Sequence, residues 1–290
     1  MRLKSHKTIM KHFTFILILS LLFFQSCKKT ELNDGVPSYI NIPSIDLMIE
    51  DSTIQGSDAQ KITDAWVYFD NDLQGIYPLP ATFPVLKEGI QNISIKAGIK
   101  NNGIAATRAN YPFYDFYKEE VYLKKDSITI LNPEVSYFEN TSFHIIDFET
   151  GSKILYHSQD SDTTFLVAND TVFEGNSGGM HLAPPHLTFE ITTEGLQLPK
   201  LGTPVYVELN YKCNTSFQIG LYADFSPTIR TNSIVTVNPK NEWNKIYVDL
   251  TSAIINTQQA NNHKVFISMT RDVNSTEMAT LYLDNFKVVY

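Results

Sequence analysis

The sequence has little cysteine, little basic charge and no long apolar run, and each shortage excludes a class of protein. Its only cysteines are Cys27 and Cys213, which excludes a scaffold held by several disulfides. Acidic residues outnumber basic ones, 31 to 23, and without basic clusters such a chain is a poor candidate for binding nucleic acid. The longest apolar stretch, at 13–24, is shorter than the ~20 residues that a membrane-spanning helix needs.

The N-terminal 26 residues have the pattern of a signal peptide. Basic side chains without any acid precede the apolar stretch, at Arg2, Lys4, Lys7 and Lys11. The stretch ends in FFQSC, which resembles the lipobox of bacterial, Bacteroidota-like lipoproteins, although Phe24 stands where the family usually has an aliphatic residue. The resemblance implies cleavage before Cys27 and attachment of lipid to its thiol. An ordinary secretory signal followed by an incidental cysteine is the alternative.

A lipid anchor would make the membrane a partner of this protein. Each buried CH₂ contributes ~0.8 kcal/mol, so two or more acyl chains hold firmly. By the sorting rules of the resembled lipoproteins, Lys28 is compatible with the outer membrane, so the cell envelope is the predicted location. We predict a polar, flexible tether over 27–42. Residues 1–26 carry four of the basic residues and none of the acidic ones, which leaves a formal charge of about -12 on the mature chain.

The rest of the chain has the composition of an all-β protein. It contains 15 Tyr and 18 Phe, is rich in Thr, Val and Ile, and is punctuated by turn-forming Gly, Pro, Asn and Asp. The best helical candidate, 250–259, is short and polar. Two β domains are predicted, at 43–140 and 141–290, joined near Glu139–Ser142.

In the first domain five stretches are predicted as strands: 44–50, 65–70, 92–100, 115–123 and 127–138. A turn, a proline-rich crossing and a strand led by glycine follow one another at 65–103. This spacing resembles the immunoglobulin-like or transthyretin-like modules of surface proteins, which implies an antiparallel sandwich.

The second domain resembles the galactose-binding-like jelly roll of many carbohydrate-binding modules. Its pieces occur in the family's order: FHIIDFETGS, VFEGNSGGMHL, VYVELNYKC, EWNKIYVDLT and TLYLDNFKVVY. The resemblance implies a jelly-roll sandwich, and a fold of this kind does not by itself specify a ligand.

No pattern in the sequence indicates catalysis. The seven histidines form no HExxH motif, and no cysteine is a partner for them. His181 and His186 flank two prolines, which indicates a rigid turn more than a metal site. Cys213 lies on an apolar strand face, as a buried structural thiol does. We therefore expect a protein that is not an enzyme.

A structural calcium ion is the one cofactor that the jelly-roll resemblance implies. In that family calcium often ties the opening strand to the closing one, and Glu149 and Asp284 match those two positions. The alternative is that both carboxylates only hydrogen-bond turns at strand ends.

The expected function is that of a surface structural or adhesion protein that contacts envelope protein or glycan. The alternative is a polysaccharide-capture module that serves separate enzymes. A glycan site should place at least two exposed aromatics on one face, with Arg or Asp nearby. The candidate contacts are Tyr222, Asp224, Phe225, Arg230 and Arg271. Trp243 is expected in the core, and the aromatic cluster at 111–117 is expected to pack between the domains.

Overall fold

The structure is a computed structural model, and it describes residues 35–149, 151, 154–168 and 171–290. The predicted signal peptide and Cys27 lie outside these residues. Strands dominate, which confirms the predicted all-β class, and the helices of the described part are α1 (Ser52–Gln55) and α2 (Thr251–Ile255). No helix in the described ranges is long and apolar enough to cross a membrane.

The first half of the chain forms a β-sandwich from ten strands. They are β1 (Ser38–Ile42), β2 (Asp46–Met48), β3 (Asp64–Phe69), β4 (Asp72–Pro78), β5 (Ala81–Val85), β6 (Gly89–Lys100), β7 (Arg108–Asn110), β8 (Tyr117–Leu123), β9 (Ile128–Ile130) and β10 (Glu134–Ser136). One sheet has the order β4-β3-β6-β7, with β8 also paired to β6. Opposite it lie the three-stranded sheet β5-β1-β9 and the pair β10-β2.

Two sequence predictions for this half are wrong. The tether cannot extend to residue 42, because Ser38–Ile42 is strand β1, and Ile40 and Ile42 are fully buried. The predicted strand 127–138 is two strands, β9 and β10, which pair in parallel with β1 and β2 respectively. Pro133 lies between them and has no N–H to donate to a ladder, so the chain changes sheets there.

The second half forms a larger sandwich of the jelly-roll type from eleven strands. They are β11 (Phe143–Ile146), β12 (Tyr156–His157), β13 (Leu166–Ala168), β14 (Ser177–Leu182), β15 (Thr188–Thr192), β16 (Tyr206–Cys213), β17 (Phe217–Asp224), β18 (Ile229–Val237), β19 (Lys240–Asp249), β20 (Asn262–Thr270) and β21 (Ala279–Val289). The six-stranded sheet has the order β13-β14-β21-β16-β19, with β11 also on β21. The five-stranded sheet has the order β12-β15-β20-β17-β18.

Period-two alternation builds the core between these two sheets. On β17, Phe217, Ile219 and Leu221 point inward and are almost fully buried, whereas Gln218 is exposed. Cys213 belongs to the same core, and burial raises the pKa of its thiol, so it is the buried structural thiol that its strand pattern predicts.

The central strands of the six-stranded sheet, β16 and β21, are buried on both of their faces. The outer side chains of this sheet, among them Tyr206 and Tyr247, pack into the core of the first sandwich. There Tyr111 lies edge-on to Tyr206, with ring centroids 5.2 Å apart, as expected for an aromatic cluster between the two halves. The outer face of the five-stranded sheet carries the exposed and half-buried side chains Gln218, Tyr222 and Lys264.

Candidate functional site

A groove lies on the outer face of the five-stranded sheet. Its volume is about 620 Å³, within the range of small-molecule sites. Strands β12, β15, β17 and β20 contribute its floor, and the segment after β17 forms one end. Its lining comprises Tyr156, His157, Ser158, Gln159, Glu190, Thr192, Tyr222, Asp224, Ser226, Pro227, Ile229, Asn262 and Lys264.

An aromatic pair forms the centre of this face. Tyr222 stacks on Phe266, with centroids 4.6 Å apart and planes at 29°. The Tyr222 hydroxyl donates to Glu190 Oε2 at 2.8 Å, which fixes the ring. Gly220 makes room for the pair, because a Cβ at this position would lie 2.2 Å from the Phe266 ring. Burial and the hydrogen bond to Glu190 raise the pKa of Tyr222, so its hydroxyl remains protonated at neutral pH.

A second aromatic side chain lies on the same face. Tyr156 pairs with Thr192, and Thr192 pairs with Phe266, so the three positions form one row across the sheet. Tyr156 is 49% exposed. The groove therefore has an open aromatic at one side and the anchored Tyr222 at the other.

Polar side chains surround the aromatic rings. Asp224 accepts from Ser226 N at 2.8 Å and from Asn262 Nδ2 at 3.1 Å. The Ser226 hydrogen bonds hold the pKa of Asp224 below its usual value, so the carboxylate stays ionised. Lys264 is exposed and lies opposite Tyr222 in the β17–β20 ladder. A ligand with hydroxyl groups and apolar C–H faces could use both kinds of surface.

The structure brings only two of the five predicted glycan contacts into the groove, Tyr222 and Asp224. Arg230 pairs with Ala223, one position away from Tyr222, and its guanidinium lies 5.7 Å from the ring centre of Phe225 outside the groove. Arg271 is only 4% exposed, and its donors are bound by the carbonyl oxygens of His186, Asp272 and Ser275. Its role is structural, contrary to its prediction as a ligand contact.

The sequence analysis missed the groove residues Tyr156 and Glu190, and it missed Phe266, on which Tyr222 stacks. The alternation of β15 and β20 could have assigned Glu190 and Phe266 to one sheet face, because Phe189 and Ile267 are their buried neighbours. The sequence does not predict that Tyr156 lies beside Glu190 and Phe266. Strand β12 has only two residues, and its register is set by the neighbouring strand with which it pairs.

The two carboxylates predicted to bind calcium line one pocket at the other sheet, with Asp147 and Glu174. Both Glu149 and Asp284 accept hydrogen bonds from residues in turns. Glu149 accepts from Asn176 N at 2.6 Å and from Asn176 Nδ2 at 2.8 Å. Asp284 accepts from Ser177 Oγ at 2.7 Å, from Glu174 N and from Asn285 N. This donor arrangement fits the turn-capping alternative.

Burial also perturbs Asp284. Burial raises the pKa of Asp284 to about 6 although three hydrogen bonds lower it. In the described residues no three His, Cys, Asp or Glu side chains gather as a metal site would need. A calcium ion at Glu149 and Asp284 therefore remains a prediction.

Trp243 differs from its prediction as a core residue. It is half-buried and lies edge-on to Phe173, with centroids 5.6 Å apart, whereas Ile246 and Val248 of the same strand are in the core. His181 shares a hydrogen bond of 2.8 Å with the Tyr282 hydroxyl, and the His186 carbonyl binds Arg271, so the two histidines serve separate structural contacts.

No protein-family model and no curated protein matches the sequence. Among solved structures, the chain is similar to carbohydrate-binding modules of the β-sandwich superfamily, at 13% identity and TM-score 0.41, over 78% of this chain and 84% of the other. It is also similar to a xylan-binding domain of family 22, at 19% identity and TM-score 0.39, over 52% of this chain and 96% of that domain. A family 30 module from Clostridium thermocellum shows 13% identity and TM-score 0.38, over 50% and 96% of the two chains.

Proposed function

We propose that this protein is a non-catalytic glycan-binding lipoprotein of the cell envelope, and that it holds polysaccharide in the groove of the five-stranded sheet. The observation that carries the proposal is the anchored Tyr222 with the open Tyr156 on one face, beside the ionised Asp224. Aromatic rings offer a face for sugar C–H groups, and the polar rim offers partners for hydroxyls. Polysaccharide capture is thus favoured over a purely structural role.

Site-directed variants test the groove. Tyr222→Ala and Tyr156→Ala should each weaken polysaccharide binding about tenfold or more, measured by affinity electrophoresis and calorimetry on residues 28–290. Tyr222→Phe keeps the stack on Phe266 and should retain most of the affinity. Tyr122→Ala is the matched control, because Tyr122 is 69% exposed on a strand of the first sandwich. Equal affinity in Tyr222→Ala and the parent protein would refute the groove as the binding site.

The non-catalytic part of the proposal rests on how the groove carboxylates are used. Glu190 binds the Tyr222 hydroxyl, and Asp224 binds the Ser226 turn and Asn262. Both carboxylates thus orient neighbouring groups of the groove, which supports a binding role for them. Release of reducing sugar from any polysaccharide that the protein binds would contradict this part.

The proposed lipid attachment at Cys27 is supported by the sequence alone. Cys27→Ala should abolish palmitate labelling and release the protein from the membrane fraction. Labelling that survives the substitution would refute lipid attachment at Cys27.

One observation supports the second candidate function, a structural or adhesion role. Ile90 and Tyr122 lie opposite each other on β6 and β8, and both are largely exposed. Apolar side chains that adjoin on a surface can mark a protein contact. Ile90→Lys should reduce cross-linking to envelope proteins if this role applies, with Tyr222→Ala as the variant that leaves such cross-linking unchanged.

A further inference from the structure

A second pocket lies at the seam between the two sandwiches, away from the groove. Its volume is about 600 Å³. The first sandwich contributes Lys61, Lys100 and the turn that follows β6. The second contributes Lys240, Lys245 and neighbouring residues of β18 and β19. Residues from both halves are therefore needed to build it.

The pocket is basic in an acidic protein. Four lysines line it, and no acidic residue does among the described residues of its wall. The whole chain has a formal charge of -8, so its composition does not predict such a cluster of positive charge. A single-sign lining in a concave site attracts ligands of the opposite charge.

Most of this charge has no partner in the protein. The ammonium of Lys245 is neutralised by Glu208 at 2.7 Å. Lys61 donates to the amide oxygen of Asn244, which carries no charge. Within the described part of the chain, the ammonium groups of Lys100 and Lys240 make no hydrogen bond or ion pair. Three positive charges thus face one pocket without a counter-charge.

The charges of Lys100 and Lys240 are close enough to affect Lys61. Burial lowers the pKa of Lys61, and the ammonium groups of Lys100 and Lys240 lower it further. The pocket wall also includes apolar side chains, among them Ile104 and Ile246. An anion bound among the lysines would reduce the repulsion between them.

We propose that the seam pocket is a second ligand site, which binds an oxyanion: a carboxylate, sulfate or phosphate group held by Lys61, Lys100 and Lys240. The pocket is large enough for a free anion, and also for a sugar ring that carries the anionic group. The site is independent of the groove, so it does not rest on the proposed glycan function.

Calorimetry with three probes at one low ionic strength tests this proposal: trigalacturonate, neutral galactotriose and inorganic sulfate. The test variant is Lys61→Gln, Lys100→Gln and Lys240→Gln combined. The matched control replaces Lys118, Lys124 and Lys125 with Gln, which makes the same charge change on exposed strand and turn positions of the first sandwich. Both variants should unfold at or near the temperature of the parent, because no ion pair is lost in the first and only an exposed one in the second.

We expect the parent and the control to bind trigalacturonate or sulfate, and the test variant to bind the same probe at least about tenfold more weakly. Tighter binding of trigalacturonate identifies an acidic saccharide as the source of the anion, and tighter binding of sulfate identifies a free ion. The proposal fails if neither anion binds the parent, if the control loses as much affinity as the test variant, or if galactotriose binds the pocket equally well. Loss of anion binding in Tyr222→Ala would place the anion in the groove and also refute it.

Discussion

Glu208 joins the two sandwiches through an ion pair and hydrogen bonds. It is fully buried, pairs with Lys245 at 2.7 Å, and accepts hydrogen bonds from the hydroxyls of Tyr111 and Tyr137. Burial alone would raise the pKa of Glu208, but Lys245, Lys287 and the Tyr111 hydrogen bond outweigh it and lower the pKa. The carboxylate is therefore charged, and it offsets two ammonium groups.

Glu208→Gln should consequently destabilise the protein strongly. The amide keeps the size of the side chain but leaves Lys245 buried without its counter-charge, and breaking a buried pair in this way costs about 3–5 kcal/mol. Denaturant unfolding measures the loss. Glu88→Gln is the control, because Glu88 pairs with Lys125 on the surface, where such a pair contributes less than about 1 kcal/mol. A similar small loss in both variants would contradict the role given to Glu208.

Asp284 gives a prediction that involves pH. Its folded-state pKa, about 6, exceeds the usual value of an unfolded Asp, so the folded state binds more protons between pH ~4 and ~6. The contribution of this group to the free energy of unfolding therefore falls as pH rises through that range. Asp284→Asn should lack that contribution, and comparing the two pH profiles without calcium measures it. Parallel profiles would show that burial does not perturb Asp284.

Calcium can be tested on the same pair of proteins. If Glu149 and Asp284 bind calcium, the ion stabilises the fold by about 2.7 kcal/mol at 100 times its dissociation constant, and Asp284→Asn removes most of the effect of a chelator. If both only cap turns, the chelator has no effect, and the substitution costs at most about 1–3 kcal/mol. Equal melting temperatures of the parent in calcium and in chelator would exclude the ion.

Among the elements, β1 is the first strand of the described residues. It lies between β5 and β9, antiparallel to the first and parallel to the second, and Ile40 and Ile42 fill the core. A chain that starts at residue 35 should be as stable as one that starts at 28. A chain that starts at 43 should lose two buried isoleucines and two ladders, and its first sandwich should unfold. Equal melting temperatures for the chains that start at 35 and at 43 would contradict this.

The elements also show what the sequence could predict. Strands with regular alternation, such as β6 with Ile93, Ile95 and Ala97 inward, were predictable because one face is buried and the other is not. β1 was missed because polar turn residues precede it and it is short. The charged part of the seam was missed for another reason. Strand β16 is buried on both faces and includes Glu208, whose charge is stabilised by lysines far away in the sequence.

The candidate site was predictable only in part, because some of its residues come from strands that are distant in the sequence. Tyr222 and Asp224 come from one strand, so local spacing identified them. Tyr156 and Glu190 enter the groove from β12 and β15, and a groove across several strands is defined by register, which one sequence does not specify. Arg271 was misjudged because its carbonyl partners come from separate loops.

At the scale of the whole molecule, Ser38–Tyr290 forms one compact unit in which the two sandwiches share the seam. Their separability at Glu139–Ser142 remains a prediction, which limited proteolysis there can test. Residues 141–290 expressed alone should expose Tyr206, Tyr247 and the charged pair of Glu208 and Lys245. We therefore expect this half to melt at a lower temperature than the whole chain. An unchanged melting temperature would mean that the seam adds no stability.

The seam tyrosines give the protein a built-in optical signal. Burial and the charge of Glu208 raise the pKa values of Tyr111, Tyr114 and Tyr137 well above that of a free phenol, whereas separation of the halves would return these hydroxyls to water. The near-ultraviolet absorbance of phenolate, recorded as alkali is added, should therefore rise in two stages: first from the accessible rings, and later from the seam rings as the sandwiches part. An alkaline titration thus follows the opening of this interface without an attached label.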